Sequence, residues 1–431
     1  MTALAGIVLF ISFFFLLFFG IPIALAIIIS SLLTFTLILP FDVAILTSAQ
    51  RMITGIDNFT MLAIPLFVLS GIIMDNGGIA FRLINFAKVL VGRLPGSLAH
   101  TNAVGNMLFG AISGSSVASA AAMGRIMTPM QNAQGYKTTY SAAVNIASAP
   151  TGLLIPPSSL LIVYSLVSGG TSVAALFIAG YIPGILWGIA VMIVAFFMAK
   201  KEKYAVSKMP GIRDVLYIIW SAVPSLLLIV IVIGGIVGGI FTATEGAAVA
   251  VVYSVILSLF YKNLKWKDIP AIFKETINIT GMILFLITAS ALFSLVMSYT
   301  GLPEAMSTGL LSLTDNQYGI LIIMIFILLV IGTFMDITPA VLIFTPIFLP
   351  IAETFNMDPI HFGTILCFAL CIGNMTPPVG SVLFVGCSVA GIRIEHVIKT
   401  LLPFFAAVIA VLLLVAFIPQ ISLFLPQLFG L

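Results

Sequence analysis

Residues 145–160 read NIASAPTGLLIPPSSL, a polar and proline-rich interruption in a chain whose other windows of that length are mostly apolar enough for lipid. A related interruption, CIGNMTPPVGSVLF, lies at 371–384. In each, a Pro-Pro pair removes two backbone donors and pushes the preceding residues out of the helical region, so a helix running through must break. Broken backbone at membrane depth is tolerated only where it is buried in protein or lines a wet cavity. The two stretches therefore mark the interior of a membrane protein.

Composition agrees. At 61% hydrophobic and 7% charged over 431 residues, with mean hydropathy +1.27, the chain carries far fewer charges than the roughly 25% of a soluble globule. It reads as a polytopic helical membrane protein. The opening MTALAGIVLFISFFFLLFFGIPIAL lacks the basic region and cleavage site of a secretory signal and is expected to be retained structure. Cys367, Cys371 and Cys387 sit in apolar context and read as packed small residues, not a disulfide framework or zinc cluster.

A helical span needs about 20 apolar residues. Residues 4–39 hold two, turning at Gly20-Ile21-Pro22; further runs lie at 60–74, 97–132, 138–167, 172–198, 215–239, 243–261, 276–299, 318–351, 359–389 and 397–428, with an amphipathic stretch at 79–94. If 97–132 and 318–351 are re-entrant hairpins, the segments around 82–93, 137, 200–213, 262–274 and 393–399 share one side. They hold 15 of the 17 Lys and Arg, all but Arg51 and Arg125, while Asp42, Asp57, Glu304, Asp315, Glu353 and Asp358 fall opposite. By the positive-inside rule the basic side is cytoplasmic, and both termini lie outside.

The halves follow one plan: two spans, an amphipathic stretch, a span, a second short stretch, a hairpin, a broken span and a closing span. MTPM at 127–130 answers FTPI at 344–347, and IPPSS at 155–159 answers TPPVG at 376–380. Five crossings per half, an odd number, invert the second copy. The expected fold is all-α and polytopic, with two inverted repeats (1–200, with hairpin 97–132 and broken span 138–167, and 201–431, with hairpin 318–351 and broken span 359–389). That makes about ten full spans, two of them broken, plus the two re-entrant hairpins. Inverted repeats with discontinuous helices characterise secondary transporters.

The freed carbonyls at the breaks, with the side chains of Asn145, Ser148, Thr151, Asn374 and Thr376, make an uncharged oxygen cage of the kind that holds Na⁺. The alternative is a hinge whose polar groups satisfy one another; two related breaks, each following a hairpin, favour the ion site. The hairpins turn at SGSSVAS (113–119) and at GTFMDITP (332–339), which brings Asp336 and Thr338 to a tip. Limbs starting at such tips direct unpaired N–H groups into the site, suited to a carboxylate.

Other residues carry two readings each. Arg125 either meets an anionic substrate or, about 10 Å of helix from a hairpin end, snorkels or pairs internally. Asp336 either ligates a cation or proton, or caps the second limb. Glu245 reads as structural, GGIVGG (234–239) as close helix packing, and His100, His361 and His396 with Trp187, Trp220 and Trp266 as interfacial. No histidine precedes a glutamate, so the H-E-x-x-H of a metalloprotease is absent, as is a phosphate loop of the form G-x-x-x-x-G-K-[ST]. The serine-rich tip offers no obvious histidine base. A continuous channel suits two inverted broken-helix sites less well than alternating access does.

Five ordered motifs, FGAISGSSVASAAAMGRIMTPM, NIASAPTGLLIPPSS, GIFTATEGAAVAVVYS, MDITPAVLIFTPIFLPI and GNMTPPVGSVLFV, together resemble the large membrane subunit of tripartite ATP-independent periplasmic (TRAP) transporters, the DctM-like family, over essentially the whole chain. The resemblance implies a bacterial inner-membrane, Na⁺-driven importer of organic acid anions with an elevator-type fold and no enzymatic activity. It implies as partners a small four-span membrane subunit, a periplasmic substrate-binding protein and membrane lipid, with no nucleic acid and no organic cofactor. Carried over by motif, one Na⁺ site falls around Ser115, Ser116, Asn145, Pro150 and Gly152, and a second around Thr333, Thr338, Gly373 and Met375. Substrate would sit between the tips, near Ser116, Asp336, Thr338 and Thr376, with Arg125 as the cationic candidate. The chain looks most similar to the sialic-acid branch, with C4-dicarboxylate carriers close. A sodium-translocating membrane subunit of a decarboxylase-type complex is the alternative.

Overall fold

The computed structural model describes residues 2–204, 206, 211–314 and 316–431. Lys208 and Asp315, which entered the charge reading, lie outside them. The described residues are helical, with no strand. The first half runs α1 (Thr2–Phe18), α2 (Ile23–Ile38), α3 (Phe41–Thr54), α4 (Ala63–Asn76), α5 (Ile79–Val91), α6 (Ser97–Ser113), α7 (Ser116–Ala133), α8 (Thr138–Ser148), α9 (Thr151–Leu154), α10 (Ser159–Val167) and α11 (Val173–Glu202). The second half runs α12 (Ile212–Val237), α13 (Ala243–Phe260), α14 (Ile269–Thr300), α15 (Leu302–Leu313), α16 (Gln317–Phe334), α17 (Ile337–Thr354), α18 (Pro359–Asn374), α19 (Ser381–Ala390), α20 (Ile394–Phe417) and the short α21 (Gln420–Leu428).

Eight helices among the described residues are long and apolar enough to cross a membrane. There are nine if α8–α9 and α10, bent by 49° across the first break, count as one span. Large apolar side chains face outward, Phe18 at 88% exposure among them, whereas α18 is buried without interruption from His361 to Asn374. A soluble protein would hide the former; here hydrocarbon is the solvent, and the segment that leads into the second break is the interior.

Both interruptions break the helix. Ile155, preceding a proline, is extended (φ −80°, ψ 120°), and Ser158 then caps α10 by accepting from Leu161 N. The peptides Pro156–Pro157 and Pro377–Pro378 are both cis. The tips are built differently. Gly114 ends α6 in the left-handed region at φ +60°, and Ser115 restarts α7 by accepting from Ala118 N at 3.3 Å. At the second tip Met335 and Asp336 are both extended.

Packing divides most of the helices into two groups, which are joined where α5 lies along α6. In one, α4 lies on α13 and α14, α2 on α1 and α14, and α12 on α5 and α13. In the other, α6 packs on α8 and α9, α16 on α18, and the second limbs cross over between halves: α7 lies on α19 and α17 on α10. The groups meet where α4 touches α6 and α14 touches α17.

Several side chains depart from the sequence reading. Trp187 is fully buried and its indole donates to Ala147 O at 2.7 Å, while Trp220 and Trp266 are exposed. His100 and His361 are also core residues, bonded to Pro95 O and Ser422 Oγ, because α11 and α21 cover what sequence distance places at a span end. GGIVGG ends α12: Gly235 admits the Phe241 ring, Gly239 is left-handed at φ +68°, and α13 approaches the stretch at Ile236, where a Cβ on Gly246 would stand 2.8 Å from Ile236 Cδ1. Glu245 is structural, completing a capping box with Thr242.

Candidate functional site

The two hairpin tips and the two breaks converge. At the first break, Gly152 of α9 lies so close to Gly110 of α6 that a Cβ built on Gly152 would stand 2.3 Å from Gly110 Cα. At the second, a Cβ on Gly373 would stand 2.4 Å from Gly332 Cα and C. Each hairpin's first limb therefore meets its broken span backbone to backbone, at the level of the break. Each tip is also tied down: Ser159 Oγ donates to Gly114 O at 3.0 Å, and Val379 N donates to Thr333 O at 3.1 Å.

Asn374 joins the halves. Its Nδ2 donates to Ser116 Oγ at the first tip (3.4 Å), and its Oδ1 accepts from both the backbone N–H and hydroxyl of Ser381. The Ser381 hydroxyl lies 3.4 Å from Asp336 Oδ1 at the second tip. Although Asp336 occupies the N-cap position of α17, its side chain makes no capping bond, which leaves the carboxylate facing the site.

Behind the first tip lies a buried amide cluster. Asn106 of α6 donates to Asn145 Oδ1 (3.0 Å) and Ser148 Oγ (2.8 Å), accepts from Ser119 Oγ (2.7 Å), and Asn145 Nδ2 donates to Ala120 O (2.8 Å). Asn145 is thus already shared between α6, α7 and α8. Sequence reasoning missed Asn106; the available signal was Asn102 and Asn106, one turn apart in an otherwise small and apolar limb.

A cavity of about 300 Å³ opens between the tips. Ser115, Ser116, Asp336, Thr338 and Asn374 line it, with α4 and α14 closing the far wall through Asp75, Glu275 and apolar residues. No Lys, Arg or His is among the lining residues. The first turns of α7 and α17 border the cavity, so their N–H groups supply its positive potential. Asn145, Pro150, Gly152, Thr333, Gly373, Met375 and Thr376 are not in the lining. Thr333 and Thr376 spend their hydroxyl protons on Val330 O and Ile372 O. Arg125 is not in the lining: it is exposed on α7 and its Nε donates to Ala121 O.

Residues 10–421 match the family described as "Tripartite ATP-independent periplasmic transporter, DctM component". The sialic acid TRAP transporter large permease protein SiaM of Vibrio cholerae is 38% identical, covering 96% of each chain. The C4-dicarboxylate TRAP transporter large permease protein DctM of Pseudomonas aeruginosa is 38% identical over 93% of each. Among solved structures, the Alcanivorax borkumensis YdaH transporter superposes with TM-score 0.60 at 12% identity, covering 86% of this chain and 88% of that one, a likeness of fold. The match over almost the whole length sets aside the decarboxylase-type alternative, and relatives that are permeases make this a transport protein, not an enzyme. The chain belongs to the DctM-component family of tripartite ATP-independent periplasmic transporters.

Proposed function

We propose that the chain is the large permease subunit of a sodium-coupled importer of an organic acid anion, of the sialic acid or C4-dicarboxylate class, in a bacterial inner membrane. It works with a small four-span membrane subunit and a periplasmic binding protein that delivers the anion, and both its termini are periplasmic. The observation that carries sodium coupling is the charge of the central cavity. Its lining has three carboxylates, Asp75, Glu275 and Asp336, and no cationic side chain. A carboxylate entering that space needs more positive charge than two helix N-termini provide, because a charge taken from water is costly unless paired. Bound Na⁺ supplies it.

The uncharged oxygens beside each break are the donors for the cations, with Ser115, Ser116, Asn145, Pro150 and Gly152 around one and Thr333, Thr338, Gly373 and Met375 around the other. The substrate lies between them against Ser116, Asp336 and Thr338, which line the cavity; Thr376 stands behind the lining. Hairpins and broken spans travel together past α4 and α14, an elevator motion. The cavity borders the half of α14 that begins at Glu275, next to the basic segment 262–274, so the charge rule assigns this conformation an opening toward the cytoplasm.

The test is the unfolding midpoint of the purified chain in NaCl, KCl and choline chloride at equal ionic strength. A cation bound only to the folded state adds RT ln(1 + [L]/Kd), about 2.7 kcal/mol at a hundredfold excess over Kd. A Na⁺-specific rise, weakened in Ser116→Ala, is expected. Equal midpoints in all three salts, in folded protein, would reject sodium coupling and point to protons at Asp336.

A further inference from the structure

A second cavity, about 350 Å³, lies on the other half of α14. Glu275, Ile279 and Met282 face the central cavity, whereas Ser290, Ala291 and Ser294 face this one. From Ile279 to Ser290 is about 16 Å of helix rise. The wall is completed by Arg51 and Thr54 of α3, by Asp57 and Asn58 in the turn after it, and by the ends of α10 and the middle of α17. It therefore lies, like the central cavity, where the two helix groups meet, but away from the basic loops.

Unlike the central cavity, it carries a cation, Arg51, alongside a single carboxylate, Asp57. Arg51 is one of only two basic residues that the charge reading leaves off the cytoplasmic side. An arginine in the last turn of a helix is ordinarily taken up by that helix's own carbonyls. Here Nε instead reaches across to α14, donating to Ala291 O at 3.5 Å, where Gly55 lets α3 approach so closely that a Cβ there would stand 2.5 Å from Ala291 Cβ. The crossing orients the guanidinium and leaves its two terminal amino groups without a hydrogen-bond or ion-pair partner among the described residues, Asp57 included. Those two groups are the fork that binds a carboxylate through parallel hydrogen bonds. A second observation points to a ligand: Ser290, 3% exposed and lining the same cavity, has a buried hydroxyl with no partner, a condition that buried polar groups seldom keep.

We propose that Arg51 and Ser290 form a carboxylate-binding vestibule on the outer half of α14, a site separate from the central cavity, where the organic anion is held before the hairpin group takes it. This rests on the reading that the chain carries such an anion. The guanidinium supplies the charge and two donors, Ser290 supplies a third donor, and Thr54 and Asn58 offer contacts to hydroxyl or amide groups elsewhere on the ligand. No Na⁺ is needed, because the cation is built in.

The experiment uses the full chain with Ser294→Cys, in spheroplasts, labelled by a membrane-impermeant maleimide. The native cysteines are buried, and the unsubstituted chain measures their background. Succinate and N-acetylneuraminate are the probes, and uncharged succinamide is the control. If a bound acid blocks the thiol, labelling slows by 1 + [L]/Kd, about tenfold at ten times Kd. The expected result is external labelling, slowed by at least one of the two acids and not by succinamide, equally in NaCl and choline chloride. This protection should vanish in Ser294→Cys/Arg51→Gln, be partly restored by Arg51→Lys, and persist in Ser294→Cys/Ser116→Ala. Absence of protection by both acids, protection that survives Arg51→Gln, protection lost in the Ser116→Ala background, or labelling only after the cytoplasmic face is opened would each overturn the vestibule. If the salt comparison fails while protection persists, sodium coupling is wrong and the vestibule stands.

Discussion

Replacing Gly152 by alanine tests whether the break and the hairpin are one structural unit. The added Cβ would meet Gly110 Cα at 2.3 Å, its carbonyl carbon at 2.7 Å and its oxygen at 3.1 Å. Carbon atoms in favourable contact sit about 3.5–4.0 Å apart, so α6 and α9 must separate by roughly 1 Å or more. All three atoms are backbone, and no rotamer change relieves the clash. Overpacking of this kind costs about 1–3 kcal/mol, and a backbone-to-backbone clash belongs at the upper end. The displacement also shifts the carbonyls proposed to ligate Na⁺, so stability and ion response should fall together. The assay is the unfolding midpoint in NaCl and in KCl for Gly152→Ala, its counterpart Gly373→Ala and the control Gly281→Ala, a helical position with open space around it. The control should hold or gain up to about 1 kcal/mol from its better helix propensity. Both break variants should lose stability and Na⁺ response. A Gly152→Ala protein with unchanged midpoint and intact Na⁺-specific stabilisation would refute the reasoning.

Two other substitutions probe the interior. Asn106→Ala strips the hub from the amide cluster and takes a partner from Asn145 Oδ1 and from the Ser119 hydroxyl, while Ser148 keeps its bond to Val144 O; at about 1–3 kcal/mol per unsatisfied buried group, the midpoint should drop more than in Thr54→Ala at the exposed end of α3. Trp187→Phe keeps most of the packing against Phe368, 4.7 Å away between ring centroids, but loses the bond to Ala147 O. It should cost about 1 kcal/mol, read as a lower unfolding midpoint; an unchanged midpoint would contradict the buried bond.

The breaks and the tips were legible because proline, glycine and serine act locally. Pro156-Pro157 and Pro377-Pro378 interrupt a helix whatever surrounds them, and Gly114-Ser115 ends one helix and caps the next. What the residues do to distant neighbours was not legible. Nothing in GNMLFGAIS says that Gly110 faces Gly152, because the reason for the glycine is another backbone about forty positions away. Asn106 was hidden for the same cause: its partners are on α7 and α8. His361 was placed at an interface because it begins a span, and only α21, folding back to bring Ser422 against it, makes it a core residue.

The glycine pairs and the crossed limbs together explain why the polar interior sits in one body. Gly110 against Gly152 and Gly332 against Gly373 leave no side chain between hairpin and broken span that could slide or repack. The second limbs, α7 on α19 and α17 on α10, then bind each half's hairpin to the other half's broken span. Asn374 completes the union with hydrogen bonds to both Ser116 and Ser381. Against this body, α4 and α14 present a boundary containing both cavities, one lined by three carboxylates and the other by Arg51 and Asp57. In the proposed elevator motion the rearrangement falls at that boundary, where one space closes as the other opens and the packing within each group is kept. Under the proposed mechanism the anion then moves from an arginine that binds it without help to tips that hold it only with cations present, so sodium occupancy decides whether the transfer goes forward.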